Sequence, residues 1–411
     1  MKKSIALSII VSSALMAGAY KVPEQSVNSM ALGAAYVAHT DGADTAYYNP
    51  ANMAFMGEEQ FAEVGVTWAH LPSNRFRGTQ TYSATDANNP ANNKSKIENL
   101  QLPFLHYVSK PMGEFRWGAS LTVPGGLTKE WKSGHQKVSA EEFTLKVLEL
   151  NPVASYKLSD NFAVGGGLRL IYSEGIVKSD GEAIKPIKRN MEGDTVEYGY
   201  NLAMSYRPTS DINMAVTYRS NIDLKEDGDA NLYLGNIGKQ HSADVTVPLP
   251  AALNLAVSKT WQDKYTVELN YEKTYWSEYK NLDFNYGSPI RGALVDAFDK
   301  PKPKNWRDTD TFRVGFRAKV SPKLTFMVGY AKDETPIPKE YLSYELPDSD
   351  ADIYTFGFRI KANENLSYGF AYLRDEKESF SLAQGENKNG IVGKFSGGGA
   401  DLLTAGVSYK F

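Results

Sequence analysis

The sequence predicts an all-β fold: a 14-stranded antiparallel transmembrane β-barrel with an N-terminal hatch lying in its lumen. Three observations carry that expectation. Segments of about ten residues alternate apolar and polar side chains, the connections between them alternate short and long, and a secretory leader precedes them.

The leader comes first in the chain. Lys2 and Lys3 form a positive start, residues 5–16 are uncharged and mostly apolar, and Ala17-Gly18-Ala19 is a small-residue cleavage site. Cleavage is expected after Ala19, so residues 1–19 are read as a signal peptide. The apolar run is too short for a retained membrane anchor.

Composition narrows the classes further. Of 411 residues, 42% are hydrophobic and 23% charged, which leaves ample apolar surface to bury and excludes a disordered chain. Beyond residue 20 no run approaches the roughly 20 apolar residues of a membrane helix. A net charge of −3 offers no field for nucleic-acid phosphates. The chain has no cysteine, so disulfides, thiolate metal sites and a cysteine nucleophile are excluded. Tyrosine is abundant (25 residues), as suits rings that are half wet and half apolar.

Residues 20–59 lack the two-residue period. Small residues crowd 31–45, and the stretch ends in Tyr47-Tyr48-Asn49-Pro50-Ala51-Asn52. About 40 residues of irregular backbone cannot face lipid unsatisfied, so the lumen is their expected home.

Residues 60–411 then read as barrel. Leu403, Ala405, Val407, Tyr409 and Phe411 share one face, opposite Thr404, Gly406, Ser408 and Lys410. The same division recurs at Tyr354/Phe356/Phe358/Ile360, at Phe312/Val314/Phe316 and at Tyr265/Val267/Leu269/Tyr271. Short turns fall at 111–113, 159–161, 209–211, 262–264, 321–323 and 363–365. Long polar connections are expected at 72–96, 125–142, 175–195, 225–242, 278–308, 332–350 and 379–399. Six short and seven long connections join 14 strands. A β-sandwich would account for the alternation but not for this rhythm, the aromatic strand ends or the terminal Phe411.

Closure satisfies every backbone group in hydrocarbon, and it orients the charges. Arg116, Arg169, Arg219, Arg313, Arg317 and Arg359 fall on the inward parity, with Glu149, Glu197, Glu268 and Glu272. An arginine facing lipid at mid-depth would cost about 2–4 kcal/mol, which fixes the choice of face. On the third strand, Pro124-Gly125-Gly126 removes a ladder donor and loosens the backbone, which reads either as a kink or as the strand's end.

Catalytic and metal motifs are missing. The five histidines are scattered, and neither H-E-x-x-H nor G-x-S-x-G occurs. Asp348, Asp350 and Asp352 imitate the start of a calcium loop, but Ile353 stands where glycine is required. The expectation is no enzyme, no cofactor and no metal.

Several blocks in order resemble the FadL/TodX-type outer-membrane transporters of long-chain fatty acids and other hydrophobic compounds. They are Val22-Pro23-Glu24-Gln25-Ser26, Ala31-Leu32-Gly33, Asn49-Pro50-Ala51, residues 118–127, Glu149-Leu150-Asn151-Pro152, Leu249-Pro250-Ala251, residues 305–309, Asp333-Glu334-Thr335-Pro336 and residues 346–350. The resemblance spans essentially the whole chain after the leader. It implies a monomeric barrel in the Gram-negative outer membrane that takes up fatty acids or aromatic hydrocarbons passively. Outer loops would catch the substrate, and a wall opening at a kinked third strand, somewhere along 116–126, would release it sideways. Tyr20, Val22, Pro23, Asn49, Pro50 and Ala51 are then the expected gate, and Val123, Pro124, Gly125 and Gly126 the expected opening. Arg169 is the candidate partner for a carboxylate. Expected contacts are hydrophobic small molecules, outer-membrane lipid and lipopolysaccharide, and detergent in a crystal. The rival function is a general diffusion porin or a purely structural barrel.

Overall fold

The computed structural model describes residues 18–82, 88–182 and 184–411. The predicted leader, apart from Gly18 and Ala19, lies outside the described residues. Fourteen antiparallel strands close into a barrel: β1 (Phe61–Leu71), β2 (Glu98–Val108), β3 (Phe115–Glu130), β4 (Glu142–Ser159), β5 (Phe162–Asp180), β6 (Ile187–Thr209), β7 (Ile212–Arg219 continued by Ile222–Leu234), β8 (Ile237–Leu249 continued by Ala251–Trp261), β9 (Tyr265–Tyr275), β10 (Thr309–Lys319), β11 (Leu324–Asp333), β12 (Ala351–Lys361), β13 (Leu366–Lys377) and β14 (Ala400–Lys410). Each strand pairs with its neighbours in sequence, and β14 pairs back onto β1, Lys410 opposite Phe61. Closure pairs the strand edges around the barrel, apart from the upper stretch between β2 and β3.

The alternation read from the sequence is the wall. Leu403, Val407, Tyr409, Tyr354, Phe356, Phe312 and Leu269 all face outward. All six inward-parity arginines meet partners inside. Arg116 donates to the carbonyls of Ser109 (2.6 Å) and Gly57 (2.8 Å), Arg317 pairs with Asp41 (2.9 Å), and Arg359 pairs with Glu63 (2.6 Å).

Two of the long connections are in fact strand. β5 runs to Asp180 and β6 starts at Ile187, while β7 and β8 meet at the two-residue turn Gly235-Asn236. Their segments at 175–195 and 225–242 rise above the membrane, where the outward face meets water instead of lipid while the inward face (Val177, Ile187, Met191, Leu232) stays buried. There a run such as Lys225-Glu226-Asp227-Gly228-Asp229 keeps its ladder without keeping the apolar alternation. β3 likewise continues past 125 to Glu130.

Residues 19–53 lie inside the barrel, nearly all buried. They form α1 (Val27–Ala31, capped by the Ser26 hydroxyl), α2 (Thr45–Tyr48) and a 3₁₀ turn over Pro50–Phe55. Lumenal glycines admit this backbone. A Cβ on Gly165 would stand 2.6 Å from the amide nitrogen of Ala51, and one on Gly329 2.2 Å from the carbonyl carbon of Leu32. Glu268 of β9 accepts three consecutive hatch N–H groups, from Val37 (2.5 Å), Ala38 (2.9 Å) and His39 (2.8 Å).

Candidate functional site: a strapped wall opening beneath an aromatic chamber

β3 begins as an ordinary strand. It pairs with β2 over Gly118–Leu121 and then leaves it, so that residues 98–104 of β2 and 122–129 of β3 share no ladder. On its other side it stays with β4, but with an extra residue: Thr122 faces Glu149, and Gly125 already faces Val147. The bulge falls on Val123-Pro124, where proline lacks the N–H that β2 would have used. The ladder to β2 is therefore interrupted along the stretch where the sequence puts Pro124-Gly125-Gly126.

The freed backbone is not left unpaired. The start of the hatch lies along it as a short antiparallel strap, Lys21 bridging Gly125. Val22 donates its N–H to the Pro124 carbonyl (2.9 Å), and Gly126 donates to the Tyr20 carbonyl (2.8 Å). The Gln25 side chain serves both backbone groups of Val123. Its Nε2 donates to the Val123 carbonyl and its Oε1 accepts from the Val123 N–H, both at 2.9 Å. The same Nε2 reaches the Val22 carbonyl at 2.9 Å, and Gln25 itself is buried. Pro23 continues the strap, its carbonyl accepting from the Tyr48 hydroxyl at 3.1 Å.

Asn49, Pro50 and Ala51 pack toward β4–β6. The Asn49 amide donates to the Val37 carbonyl (2.8 Å) and to Ser205 Oγ of β6 (2.9 Å), while Ala51 sits on Gly165 of β5. The element thus ties the hatch to the wall rather than to the strap.

Above the strap, Tyr20 packs into a buried aromatic cluster contributed largely by the β9–β10 connection, and the space its ring fills there is the chamber. Its ring meets Trp276 edge-on at 4.8 Å and Trp306 at 5.6 Å, and its hydroxyl donates to the Pro248 carbonyl. Leu127, Phe143, Leu145, Leu249, Phe284 and Phe298 extend the apolar surround.

Two cations in this apolar zone make no ion pair among the described residues. Arg189, at the outer end of β6, is 1% exposed, with its guanidinium 4.0 Å from the Phe284 ring centre and 4.9 Å from that of Phe298. Nη2 finds Ser179 at 3.3 Å and Nη1 the Tyr286 hydroxyl at 3.5 Å, while Nε has no partner among the described residues. Nearby Lys302, in the β9–β10 connection, makes no ion pair among the described residues. Burial, with the Arg189 charge adding to it, pushes the Lys302 ammonium down to about 8. Glu345 is committed elsewhere: burial opposes its charge, but Lys304 and Lys302 hold its carboxyl down to about 2, and Lys304 binds it directly.

Arg169 stands differently. It is buried in the barrel wall and donates to Glu149 through Nε (3.1 Å) and Nη2 (2.9 Å), and Arg219 binds the other Glu149 oxygen. Its third contact is the Ser220 carbonyl at 2.7 Å. Asp348, Asp350 and Asp352 do not converge, since they accept from Lys377 and Thr335, from the Thr335 N–H, and from Tyr330 respectively. Among the described residues no three acidic or histidine side chains gather as a metal site. At the outer surface, a groove of about 820 Å³ lies between connections 334–350 and 378–399, with Ile337, Leu342 and Phe380 beside Arg307, Lys339 and Lys388.

A closed 14-stranded barrel with residues 19–53 packed in its lumen is the architecture of an outer-membrane protein. The particular family is the outer membrane protein transport protein family (OMPP1/FadL/TodX), whose pattern matches residues 8–411, and the chain belongs to it. A curated relative, the long-chain fatty acid transport protein of Salmonella typhi, is 24% identical over 385 residues, covering 84% of each chain. The fold is that of a solved Pseudomonas aeruginosa FadL homologue (TM-score 0.79, 20% identity, 95% of this chain and 99% of that one). It is also that of the Pseudomonas putida toluene transporter TodX (TM-score 0.71, 15% identity, 97% and 99%). The chain is an outer-membrane protein of this family, whose members carry fatty acids or hydrophobic aromatic compounds.

Proposed function

We propose that this protein takes up fatty-acid-like amphiphiles passively and releases them sideways into the membrane between β2 and β3. The observation that carries the reading is the strap: residues 20–25 supply the hydrogen bonds that β3 loses where it leaves β2, so one short segment both closes the wall and occupies the chamber. The outer groove at Ile337, Leu342 and Phe380 is the capture surface in this reading. From there the chain of the substrate enters among Trp276, Trp306 and Phe143, gaining about 0.8 kcal/mol for each CH₂ it buries. Arg189 and Lys302 receive its carboxylate, because they are the cations of the chamber whose charge no protein acid takes up at short range. Arg169, with Glu149 already on it, serves the wall. Displacing Tyr20 frees the strap and opens the wall, and the apolarity that drew the substrate from water then carries it into lipid. No nucleotide-binding motif G-x-x-x-x-G-K-[ST] is present, in keeping with uptake that uses no energy source.

The test is uptake of labelled oleate and of toluene by cells carrying wild-type or Arg189→Ala protein. A charged hydrogen bond contributes roughly 1.5–3 kcal/mol, so oleate affinity should fall about 10- to 100-fold while toluene entry is unchanged. Equal losses for both compounds refute the carboxylate seat. No acceleration of either compound by the wild-type protein refutes transport.

A further inference from the structure

The outer wall carries a feature that the uptake path does not use. On three successive hairpins the same trio of outward side chains recurs: Tyr271 and Lys273 of β9 with Asp310 of β10, Tyr330 and Lys332 of β11 with Asp352 of β12, and Tyr372 and Arg374 of β13 with Asp401 of β14. In each, the cation stands directly opposite the aspartate across the ladder. The tyrosine, two residues below the cation, donates its hydroxyl to that aspartate, at 2.7, 2.5 and 2.6 Å in turn. Tyrosines of this kind mark the boundary between hydrocarbon and head groups. The three cations therefore stand one row higher, at the level of the outer-leaflet head groups.

Two of the three are loosely held. Arg374 reaches Asp401 at 2.7 Å, but Lys273 stands 3.4 Å from Asp310 and Lys332 3.8 Å from Asp352. The tyrosine takes the short bond to the carboxylate and leaves each ammonium with donors to spare. Below Lys332 an apolar groove of about 810 Å³ runs obliquely down the wall, past Tyr330, Phe312 and Leu269 and on across β8, β7 and β6 to Phe162 at the start of β5; Lys273, two residues above Tyr271 of its lining, stands over it without lining it. Lys273 and Lys332 flank β10 and face it at Asp310 and Phe312, two residues apart, so their backbones are about 12 Å apart, and two flexible side chains span that distance to meet at one anion. The other arc of the wall has the opposite sign. Directly above Tyr172, Glu174, Asp194, Asp227 and Asp244 face one another in register across β5–β8, with Lys146 on Glu174 at 2.9 Å. An anionic head group is repelled there and attracted at β9–β11.

We infer that this groove seats a phosphorylated, multi-chain lipid of the outer leaflet, of the lipid A type. An acyl chain fills the groove past Phe312 and Leu269, and a phosphate lies between Lys273 and Lys332. Charge complementarity at the mouth and an apolar floor below it together select an anionic amphiphile over a soluble anion. The seat is independent of the strap and of the substrate chamber.

The experiment uses the full-length protein in a nonionic detergent and measures lipid binding by native mass spectrometry. Diphosphoryl lipid A should bind, and the double variant Lys273→Gln/Lys332→Gln should bind it at least tenfold more weakly. Arg374→Gln, two strands away from the groove, should bind as the wild type does. Leu269→Trp, which fills the groove and keeps both lysines, should also weaken binding. Heat-modifiable gel mobility checks that each variant is folded. Equal binding by the double variant overturns the inference, as does equal binding of dephosphorylated lipid A. Competition by inorganic phosphate or oleate at the concentration of the lipid itself also overturns it, since the site would then be a general anion or fatty-acid site.

Discussion

Replacing Gln25 with alanine should loosen the strap without disturbing the barrel. In the native chain this side chain satisfies both backbone groups of Val123 and the Val22 carbonyl, each at 2.9 Å, in a buried setting. Alanine leaves three groups unpaired, of which the two on Val123 have no alternative strand because β2 has already left β3. An unsatisfied buried group costs about 1–3 kcal/mol. Partial hydration of the gap reduces the sum, so a shift of roughly 2–4 kcal/mol toward the undocked strap is expected, or about 30- to 1,000-fold in its population. Hydrogen exchange reads this directly. The amides of Val22 and Gly126, which bond Pro124 and Tyr20 across the strap, should exchange faster by about that factor, while those of β10–β13 stay protected. Gln25→Glu keeps the acceptor for the Val123 N–H but sets a buried carboxylate oxygen against the Val22 and Val123 carbonyls, so at neutral pH it should release the strap at least as far as alanine does. Unchanged exchange at Val22 and Gly126 in the alanine variant would show that the strap is held by something other than these bonds, and the gating argument would fail.

Three further outcomes follow from the same geometry. Lys302, pushed down to about 8, is charged below that pH and neutral above it, so affinity for an ionised fatty acid should decline as pH rises from 7 to 9 while that for toluene stays flat; fluorescence titration of a labelled acid gives the profile. Gly125→Trp places a large ring where even a Cβ would lie 3.1 Å from Leu249 and 3.2 Å from the Tyr20 carbonyl, so oleate uptake should fall several-fold in a variant that still folds; unchanged uptake removes sideways release. Because residues 19–53 fill the lumen, the intact protein should pass little ion current in planar bilayers, and deletion of residues 20–53 should open a channel; a large steady conductance from the intact chain would favour the porin reading.

What the sequence disclosed of this fold depended on where the solvent changes. Within the bilayer, lipid and lumen impose opposite preferences on successive residues, so Phe312 and Arg313, or Phe358 and Arg359, announce their faces without any structure. Above the bilayer the outward face turns polar and the inward one buries residues such as Leu224 and Leu232, so the outward apolar signature is lost and β7 through Lys225-Glu226-Asp227 looks like loop although it is paired residue for residue with β8. Arg189 falls in such a segment, within 175–195, and nothing in its spacing signals Lys302, which is brought beside it from a connection more than a hundred residues away. Pro124-Gly125-Gly126 was readable as a break in a ladder, since proline cannot donate. That Gln25, 98 positions from Val123, would restore the missing bonds was not, because a single side-chain amide meeting a single peptide leaves no periodic trace.

The strap also suggests why chain length would matter to this protein. Tyr20 is at once the occupant of the chamber and a partner of Gly126, so a ligand cannot take the space between Trp276 and Trp306 without removing a bond that closes the wall. Exposing the ring costs about 1.5–3 kcal/mol, and each backbone bond released with it roughly 1 kcal/mol more. A single-ring hydrocarbon burying a handful of carbons gains on the order of 4–5 kcal/mol and roughly balances that cost. An acyl chain burying ten CH₂ groups gains about 8 kcal/mol and exceeds it by several. Arg189 adds to the second case and not to the first. On the proposed route, then, displacement of the strap would be coupled to the apolar length of what enters, and opening of the wall would follow from filling the chamber rather than from any separate signal.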